Sequence, residues 1–362
     1  MTKSDFIFML VRSALWQQPL DHFDMSPRQY GQVMEEADKQ CVLGLITDCL
    51  RSNNMGLQKK CVIHMLKLQN SLTKENKHIN ENLKKLVDLL NKHQIRYVVV
   101  KGQTIGALYP KPLLRVPGDI DFYVNPNERD RTLDIISKEW NVTEFDHNPD
   151  GKEISFDYEE TVYELHNALL LFENKKNATY FNSLVEQSAT SSLMIEDCEV
   201  KTLEPTLNIF YTFGHLYHHF RSEGVATRQL CDLTMLLHKY RDTIDRARLF
   251  DMLSKTGYTR AFSTFGSILI EKLGLPENEF PLEIKERDRK MAKKVLRIIL
   301  EGGNWGGYNR KGFDKKGLKH ALETGWIRVS HYITFFQLSP KENFSLLVKE
   351  IPRRIFKLVK RI

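Results

Sequence analysis

The sequence has few cysteines and no long apolar run. Its five cysteines are an odd number, and no two are spaced as a Cys-x-x-Cys pair. They therefore indicate neither a disulfide framework nor a zinc knuckle, and they fit a reducing cytoplasm. No stretch approaches the roughly 20 apolar residues that a transmembrane helix needs. The start, MTKSDFIFMLVRSALW, has a short apolar run broken by Arg12 and no small-residue cleavage site, so no signal peptide is expected.

Two well-known sets of phosphate-handling motifs are also missing. The chain contains neither the P-loop pattern GxxxxGK[ST] nor the HRD and DFG signatures of protein kinases, which weighs against a kinase. The 53 basic and 46 acidic residues give a net charge of +7 at pH 7, spread along the chain. This mild excess suits phosphate-bearing ligands, but without a strongly basic groove it does not predict nucleic-acid binding.

The hydrophobic pattern divides the 362 residues into three regions. Residues 1–92 carry apolar side chains at helical spacing and predict an N-terminal helical region. Residues 93–200 contain short β-branched runs separated by turn signals, which predict an α/β core. Residues 201–362 return to amphipathic helical patterns and end in a basic amphipathic tail, 352–362. The expected fold class is α+β, with a small mixed β-sheet core flanked by helices.

Within the core, the order of elements can be followed closely. The run RYVVV predicts a strand that ends in a tight turn at Lys101 and Gly102. QTIGALY then predicts a short helix, which Pro110 stops, and DIDFYV predicts a second strand. Further strands are predicted at 142–147, 153–158 and 161–167, the last two as a hairpin around Glu159 and Glu160.

Two aspartates, Asp119 and Asp121, lie one residue apart in the apolar run DIDFYV. Residues i and i+2 of a strand point the same way, so the two carboxylates share one face. Adjacent carboxylates repel each other and lose solvation, and a fold tolerates them when a cation compensates. Mg²⁺ prefers such hard oxygen ligands together with substrate phosphates. On these residues alone, an exposed edge strand with two solvated acids is the alternative.

The order of motifs around the aspartates resembles the nucleotidyltransferase superfamily, which includes DNA polymerase beta and the minimal MNT-type enzymes. The sequence is most similar to a bacterial family labelled uncharacterised nucleotidyltransferase, over residues 1 to about 240. The matching positions are Lys101-Gly102, Tyr109-Pro110, Arg115, Asp119-Ile120-Asp121 and Glu164-Leu165-His166. The Gly-Ser pair that is usual in the superfamily is Lys101-Gly102 here, and the spacing to the first aspartate is longer than in the minimal enzymes.

The resemblance implies transfer of a nucleoside monophosphate from a nucleoside triphosphate to an acceptor hydroxyl or phosphate. It implies that Asp119, Asp121 and Glu164 are the catalytic carboxylates and the ligands of Mg²⁺ or Mn²⁺. Two metal ions held about 3.5 to 4 Å apart can clamp the attacking and leaving oxygens of such a transfer. Asp157 is a rival for the third acid, but Glu164 is preferred because Glu-Leu-His belongs to the family pattern.

A phosphate-binding group is expected around the first turn, formed by Lys101, Gly102, Thr104 and Arg115. Gly102 lets backbone amides approach a phosphate without an intervening Cβ. Lys101 and Arg115 are the candidate phosphate cations, and the guanidinium of Arg115 offers a bidentate fork. For each of these two cations the alternative is an ordinary surface charge.

Further candidates for the substrate cleft are His166, His215, His219, Arg228 and Asp232. His166 could orient a carboxylate, bind substrate or be structural. His215 and His219 have the i, i+4 spacing of some zinc sites, but the sequence places no third ligand, so structural or substrate-contacting histidines are preferred. Arg228 and Asp232 predict a helix ion pair, with a role in the cleft as the alternative.

The tail PRRIFKLVKRI has an apolar helical stripe flanked by basic residues. We expect it to dock on the body of the protein, with peripheral contact to an anionic membrane as the alternative. Nucleic acid ranks third because the tail has no aromatic platform. The expected partners are a nucleoside triphosphate and an acceptor that is a small molecule, a glycan precursor or a protein. A non-catalytic nucleotide-binding or interaction module on the same fold is the alternative function.

Overall fold

The computed structural model describes residues 2–148, 151–222, 224–303 and 332–348. Its helices include α1 Lys3–Trp16, α2 Pro27–Lys39, α3 Leu43–Ser52, α4 Lys59–Lys92, α5 Gly102–Gly106, α6 Arg129–Trp140, α7 Lys175–Gln187, α8 Pro205–Ser222, α9 Thr227–Tyr240, α10 Arg246–Thr256, α11 Thr259–Leu273 and α12 Glu286–Gly302. Its strands are β1 Asp24–Met25, β2 Gly56–Leu57, β3 Tyr97–Val100, β4 Ile120–Val124, β5 Asp146–His147, β6 Glu153–Tyr158, β7 Thr161–His166, β8 Thr190–Ile195 and β9 Cys198–Leu203. The predicted α+β class is confirmed. The tail predicted at 352–362 lies outside the described residues.

A five-stranded mixed sheet lies at the centre of the fold, in the order β3-β4-β7-β6-β5. Strands β4 and β7 run parallel, and the other neighbouring pairs are antiparallel. The predicted hairpin is present, because β6 and β7 pair along their whole length. Its turn residues, Glu159 and Glu160, have positive φ values of 45° and 58°, as a tight two-residue hairpin turn requires.

Two parts of this architecture differ from the sequence prediction. The strand predicted at 142–147 is reduced to β5 at its end. The hairpin of β8 and β9 was not predicted from the sequence. Strand β9 of this hairpin contacts β3. Strand β8 has the sequence TSSLMI, in which Met194 is exposed. Its apolar alternation is therefore too weak to identify it as a half-buried strand.

The buried side chains form two apolar clusters. One joins α1, α2 and α3 to the C-terminal helices α8 to α12, and the other packs the second half of α4 against the sheet. Strand β3 lies between them and is buried along its length. Because successive strand residues point to opposite faces, Val98 and Val100 join the first cluster, whereas Tyr97 and Val99 join the second. The domain boundaries proposed from the sequence stay a prediction.

Strand β4 presents one apolar and one polar face, as the sequence predicts. Ile120, Phe122 and Val124 are at most 2% exposed and belong to the apolar cluster between the second half of α4 and the sheet. Asp121 and Tyr123 therefore point to the opposite side of the sheet. None of the helices in the described ranges is long and apolar enough to cross a bilayer.

The loop that leads into β4 is fixed from two helices. The Nδ2 group of Asn76, on α4, donates to the carbonyls of Leu113 and Arg115 at 3.1 and 2.9 Å. On α3, a Cβ added at Gly44 would lie only 1.6 Å from the carbonyl oxygen of Leu114. The absence of a side chain at Gly44 therefore allows the loop to lie directly against α3.

The close contact between Gly44 and the loop predicts that a larger residue at position 44 destabilises the fold. Gly44→Ala should lower the free energy of unfolding by about 1–3 kcal/mol, because the new methyl group forces α3 and the loop apart. Gly31→Ala is the matched control, since Gly31 lies in α2 with no atom within 4 Å of its added Cβ. That change should be neutral or stabilise by up to about 1 kcal/mol. Urea unfolding of both variants measures the difference, and equal effects would contradict the close approach.

Candidate functional site

The two central strands bring the predicted acids together. Asp121 is the direct partner of Glu164 in the parallel register of β4 and β7, where neighbouring strands lie about 4.8 Å apart. Asp119 immediately precedes β4 and lines the same cleft as Glu164, close enough for the two carboxyl groups to affect each other's pKa. The rival third acid, Asp157, is paired with Val162 near the hairpin turn and is exposed. The structure therefore places Glu164, and not Asp157, beside the two aspartates.

The three carboxylates strongly influence one another. Burial, together with the charges of Asp121 and Asp119, raises the pKa of Glu164 to about 9. The charge of Asp121, followed by burial, raises the pKa of Asp119. Burial would also raise the pKa of Asp121, but Lys101 and His166 outweigh that effect and hold it below its ordinary value. Without a further cation, the three carboxyl groups therefore cannot all be charged at neutral pH.

Lys101 is a buried counter-ion of these acids. Its Nζ lies 2.5 Å from Asp121 Oδ1 and 3.1 Å from His215 Nε2. Burial alone would lower the pKa of Lys101, but attraction to Asp121 outweighs it and raises the pKa. The backbone of Lys101 has φ 54° and ψ −143°, a conformation that non-glycine residues rarely adopt and that the surrounding packing must enforce. The predicted role of Lys101 in phosphate binding stays a prediction.

The turn after β3 approaches the acids closely. Gly102 has φ 38°, and a Cβ there would lie 3.1 Å from the carbonyl oxygen of Asp119. Glycine is therefore suited to this position on both conformational and steric grounds. Thr104 is buried, and its hydroxyl donates to the Lys101 carbonyl at 2.7 Å. The hydroxyl thus stabilises the first turn of α5, and the residues that line the cleft do not include Thr104.

His166 is fully buried behind Asp121. Its Nε2 lies 2.6 Å from Asp121 Oδ1 and 3.7 Å from Glu164 Oε2. One ligand atom from each of these three side chains lies within 4.8 Å of the other two, a spacing that could hold a metal ion. Burial lowers the pKa of His166 despite the opposing effect of Asp121.

Arg115 is bound by Asp232 in a buried ion pair. Its Nε and Nη2 groups donate to the two carboxylate oxygens of Asp232, each at 2.8 Å. The hydroxyl of Tyr109 donates to the same carboxylate at 2.6 Å. Arg115 is 6% and Asp232 is 5% exposed. The guanidinium fork expected to bind phosphate is therefore occupied by Asp232, on α9. A phosphate role for Arg115 stays a prediction.

The helix ion pair predicted between Arg228 and Asp232 does not form, because the Asp232 carboxylate is engaged by Arg115 and Tyr109. Arg228 Nη1 instead donates to the carbonyls of Val116 and Pro117 at 3.1 and 3.0 Å. Its Nε is buried and has no hydrogen-bond partner. The guanidinium lines the cleft beside the loop that leads to Asp119.

His215 and His219 lie side by side on α8, as their spacing predicts. Their Nε2 atoms are 3.1 Å apart. Burial and the nearby charge of Lys101 hold the pKa of His215 well below its usual range. In the described part of the chain, the potential metal cluster consists of Asp121, Glu164 and His166 and does not include this histidine pair. Both rings line the cleft.

The acids and these basic side chains line one cleft of about 250 Å³. Asn148, Lys152 and Glu153 are among the cleft residues that were not identified from the sequence. The sequence could have identified Glu153 from the predicted hairpin. In that hairpin, Glu153 begins β6 and is the cross-strand partner of His166 on β7. A charged residue at that register position must lie beside the Glu-Leu-His segment.

Comparison with known proteins agrees with the motif order. A model of the family described as uncharacterised nucleotidyltransferase matches residues 26–270. None of the curated proteins with which the chain was compared matches it. Among solved structures, the chain is similar to an antigenic nucleotidyltransferase-like protein from Paracoccidioides brasiliensis, with 13% identity and a TM-score of 0.35, over 55% of this chain and 93% of that one. That likeness is too low to carry an argument, but the family match spans more than half of the sequence and contains all three acids. The chain therefore belongs to the uncharacterised nucleotidyltransferase family.

Proposed function

We propose that the protein is a metal-dependent nucleotidyltransferase. It would transfer a nucleoside monophosphate from a nucleoside triphosphate to an acceptor hydroxyl or phosphate and release pyrophosphate. The observation that carries this proposal is the pairing of Asp121 with Glu164 across β4 and β7, with Asp119 in the same cleft. Family membership supports the reaction class. As acceptor we propose a small molecule, a glycan precursor or a protein, because the mild excess of basic residues is spread along the chain.

Asp119, Asp121 and Glu164 fit Mg²⁺ or Mn²⁺, which prefer carboxylate oxygens. The contacts of Lys101 and His166 to Asp121 both use Oδ1, which leaves Oδ2 for a metal ion. Repulsion by Asp121 and burial raise the pKa of Asp119, and burial followed by repulsion from the two aspartates raises the pKa of Glu164. A divalent cation would relieve the repulsion. When bound, the cation would supply Lewis acidity to the oxygens of the transferred phosphoryl group.

A cation on the cleft wall would bind the triphosphate. Arg228 lines the cleft, and its Nη1 donates to backbone carbonyls. Its guanidinium can make charge-assisted hydrogen bonds to phosphate oxygens. Lys101, Arg115 and Lys152 are less available, because each is already engaged with a carboxylate. We therefore assign phosphate binding first to Arg228.

Glu164 is the acid best placed to meet an acceptor. Its side chain is 21% exposed, whereas that of Asp121 is 2% exposed. An incoming hydroxyl group can therefore reach Glu164 from the cleft, and we assign Glu164 to orient the attacking oxygen. Catalysis in such a site comes mainly from positioning and charge neutralisation.

One observation favours a second candidate, a nucleotide-binding module without catalysis. The ammonium group of Lys101 already contacts Asp121 where a metal ion would compensate the same charge. If that contact persisted in the presence of metal and nucleotide, the fold would bind nucleotide without the proposed reaction. Product analysis separates the functions, because nucleotidyl transfer releases pyrophosphate, a kinase would release a nucleoside diphosphate, and the module would release neither.

The acids should control nucleotide binding. Wild-type protein titrated calorimetrically with each of the four triphosphates and Mg²⁺ should bind at least one of them, and Asp119→Asn/Asp121→Asn should abolish the metal-dependent part. Asp157→Asn is the control, because Asp157 is an exposed acid on the neighbouring strand and should leave binding unchanged. A well-folded wild type that binds no triphosphate would count against the proposed function.

Lys101 should oppose metal binding. Lys101→Met removes a positive charge beside Asp121, so the affinity for Mn²⁺ should rise about tenfold or more. The metal-free protein should lose about 3–5 kcal/mol of stability, because Asp121 is left buried without its partner. Lys111→Met, which breaks an ion pair with Asp48 among residues that do not line the cleft, should change stability but not Mn²⁺ affinity. A Lys101→Met variant with unchanged Mn²⁺ affinity and weaker triphosphate binding would instead indicate the phosphate role.

Arg228 should contribute directly to triphosphate affinity. Arg228→Gln should weaken binding about 10- to 100-fold, as expected for loss of a charge-assisted hydrogen bond. Mn²⁺ affinity should change little. Lys239→Gln, at the exposed far end of the same helix, controls for net charge. Equal triphosphate affinity in the two variants would remove Arg228 from the binding site.

A further inference from the structure

A line of polar side chains extends behind Asp121 across three strands. His166, on β7, lies 2.6 Å from Asp121 through Nε2. Its other ring nitrogen, Nδ1, lies 3.5 Å from Glu153 Oε2. Glu153 and His166 are cross-strand partners in the β6–β7 hairpin. The imidazole of His166 is thus held between a carboxylate on β4 and a carboxylate on β6.

The ring nitrogen on the Glu153 side has no hydrogen-bond partner. His166 Nδ1 is buried and makes no hydrogen bond, whereas the buried Glu153 Oε2 is paired with Lys152 Nζ at 2.8 Å. Buried polar atoms are rarely left without a partner in native proteins. These two face each other, and a movement of about 0.5 Å would bring them to normal hydrogen-bond distance. Such a contact would fix the ring of His166 from the side opposite Asp121.

Glu153 itself is firmly held. Asn148 Nδ2 donates to Glu153 Oε1 at 3.1 Å, and Lys152 Nζ lies 2.8 Å from Oε2. The glutamate side chain is 14% exposed, compared with 0% for that of His166. A carboxylate fixed in this way can hold the imidazole ring in one rotation. The orientation of the ring then determines which carboxylate oxygen of Asp121 is in contact with Nε2.

We propose that Glu153 is a positioning residue for Asp121 and acts through His166. This inference rests on the proposed function, since the role of Asp121 as a metal ligand comes from there. By holding the ring, Glu153 keeps Nε2 on Oδ1 and leaves Oδ2 directed to the cation. Groups that orient metal ligands from behind in this way commonly change metal affinity 10- to 100-fold when they are replaced. His166 is then a hydrogen-bond donor to Asp121 and not itself a ligand.

The test measures binding of Mn²⁺ alone, by the loss of the electron paramagnetic resonance signal of the free ion. Glu153→Gln removes the charge at constant shape, and Glu153→Asp keeps the charge but withdraws the carboxylate from the ring. Both should weaken Mn²⁺ binding about 10- to 100-fold. Asp157→Asn is the matched control, because it removes one acid from the same face of the same strand, and it should bind Mn²⁺ like the wild type.

A second readout reports on the ring directly. In ¹⁵N-histidine-labelled protein, the His166 signals are assigned by their loss in His166→Gln. Glu153→Gln should shift the Nδ1 signal of His166, whereas Asp157→Asn should not. Circular dichroism confirms that each variant is folded.

The outcomes separate this inference from the proposed function. A wild type that binds no Mn²⁺ overturns both. A wild type that binds Mn²⁺, with equal binding by Glu153→Gln, overturns the positioning role and leaves the proposed function in place. Weaker binding by Glu153→Gln with wild-type binding by Glu153→Asp also overturns it, since charge alone would then explain the effect. Unchanged His166 Nδ1 signals in Glu153→Gln would show that the two side chains do not interact.

Discussion

Negative charge gathered where two parallel strands meet is the constraint on which the rest of the site depends. Asp121 and Glu164 are register partners, so their carboxylates are forced together by the backbone hydrogen bonds of the sheet. A buried carboxylate requires a cation or hydrogen-bond donors, and Asp121 has both, in Lys101 and His166. Lys101 provides its charge from a backbone conformation that is otherwise unfavourable, which indicates how strongly the fold requires a cation at that point.

A second consequence of the same arrangement is that the C-terminal helices are part of the site. Helix α8 provides His215 beside Lys101, and α9 provides Asp232, which holds Arg115 on the loop before β4. These helices share an apolar cluster with α1, α2 and α3. The sheet alone would therefore form only one wall of the cleft. The family match, which extends through residue 270, includes both walls.

The basic side chains around the cleft fall into two groups with different availability. Lys101 and Arg115 are each bound to a buried aspartate, whereas Arg228 lines the cleft and donates to backbone carbonyls. Engaged cations preserve the geometry of the acids, and available cations can bind phosphate. The proposed chemistry uses this separation, because metal binding and phosphate binding then depend on different residues and can be altered independently.

The sequence by itself determined the local features. Strand period placed Asp119 and Asp121 on one face and the apolar residues of β4 on the other, and turn chemistry located the β6–β7 hairpin. Motif order predicted Glu164 as the third acid and the family to which the chain belongs. Only the tertiary structure decided which charges pair. Asp232 binds Arg115 and not Arg228 one helical turn away, Lys101 binds Asp121, and Glu153 lies behind His166. Periodicity depends on neighbours two to four residues apart, whereas ion pairing depends on which side chains long-range packing brings together, as at the contact of Gly44 with the loop carrying Arg115.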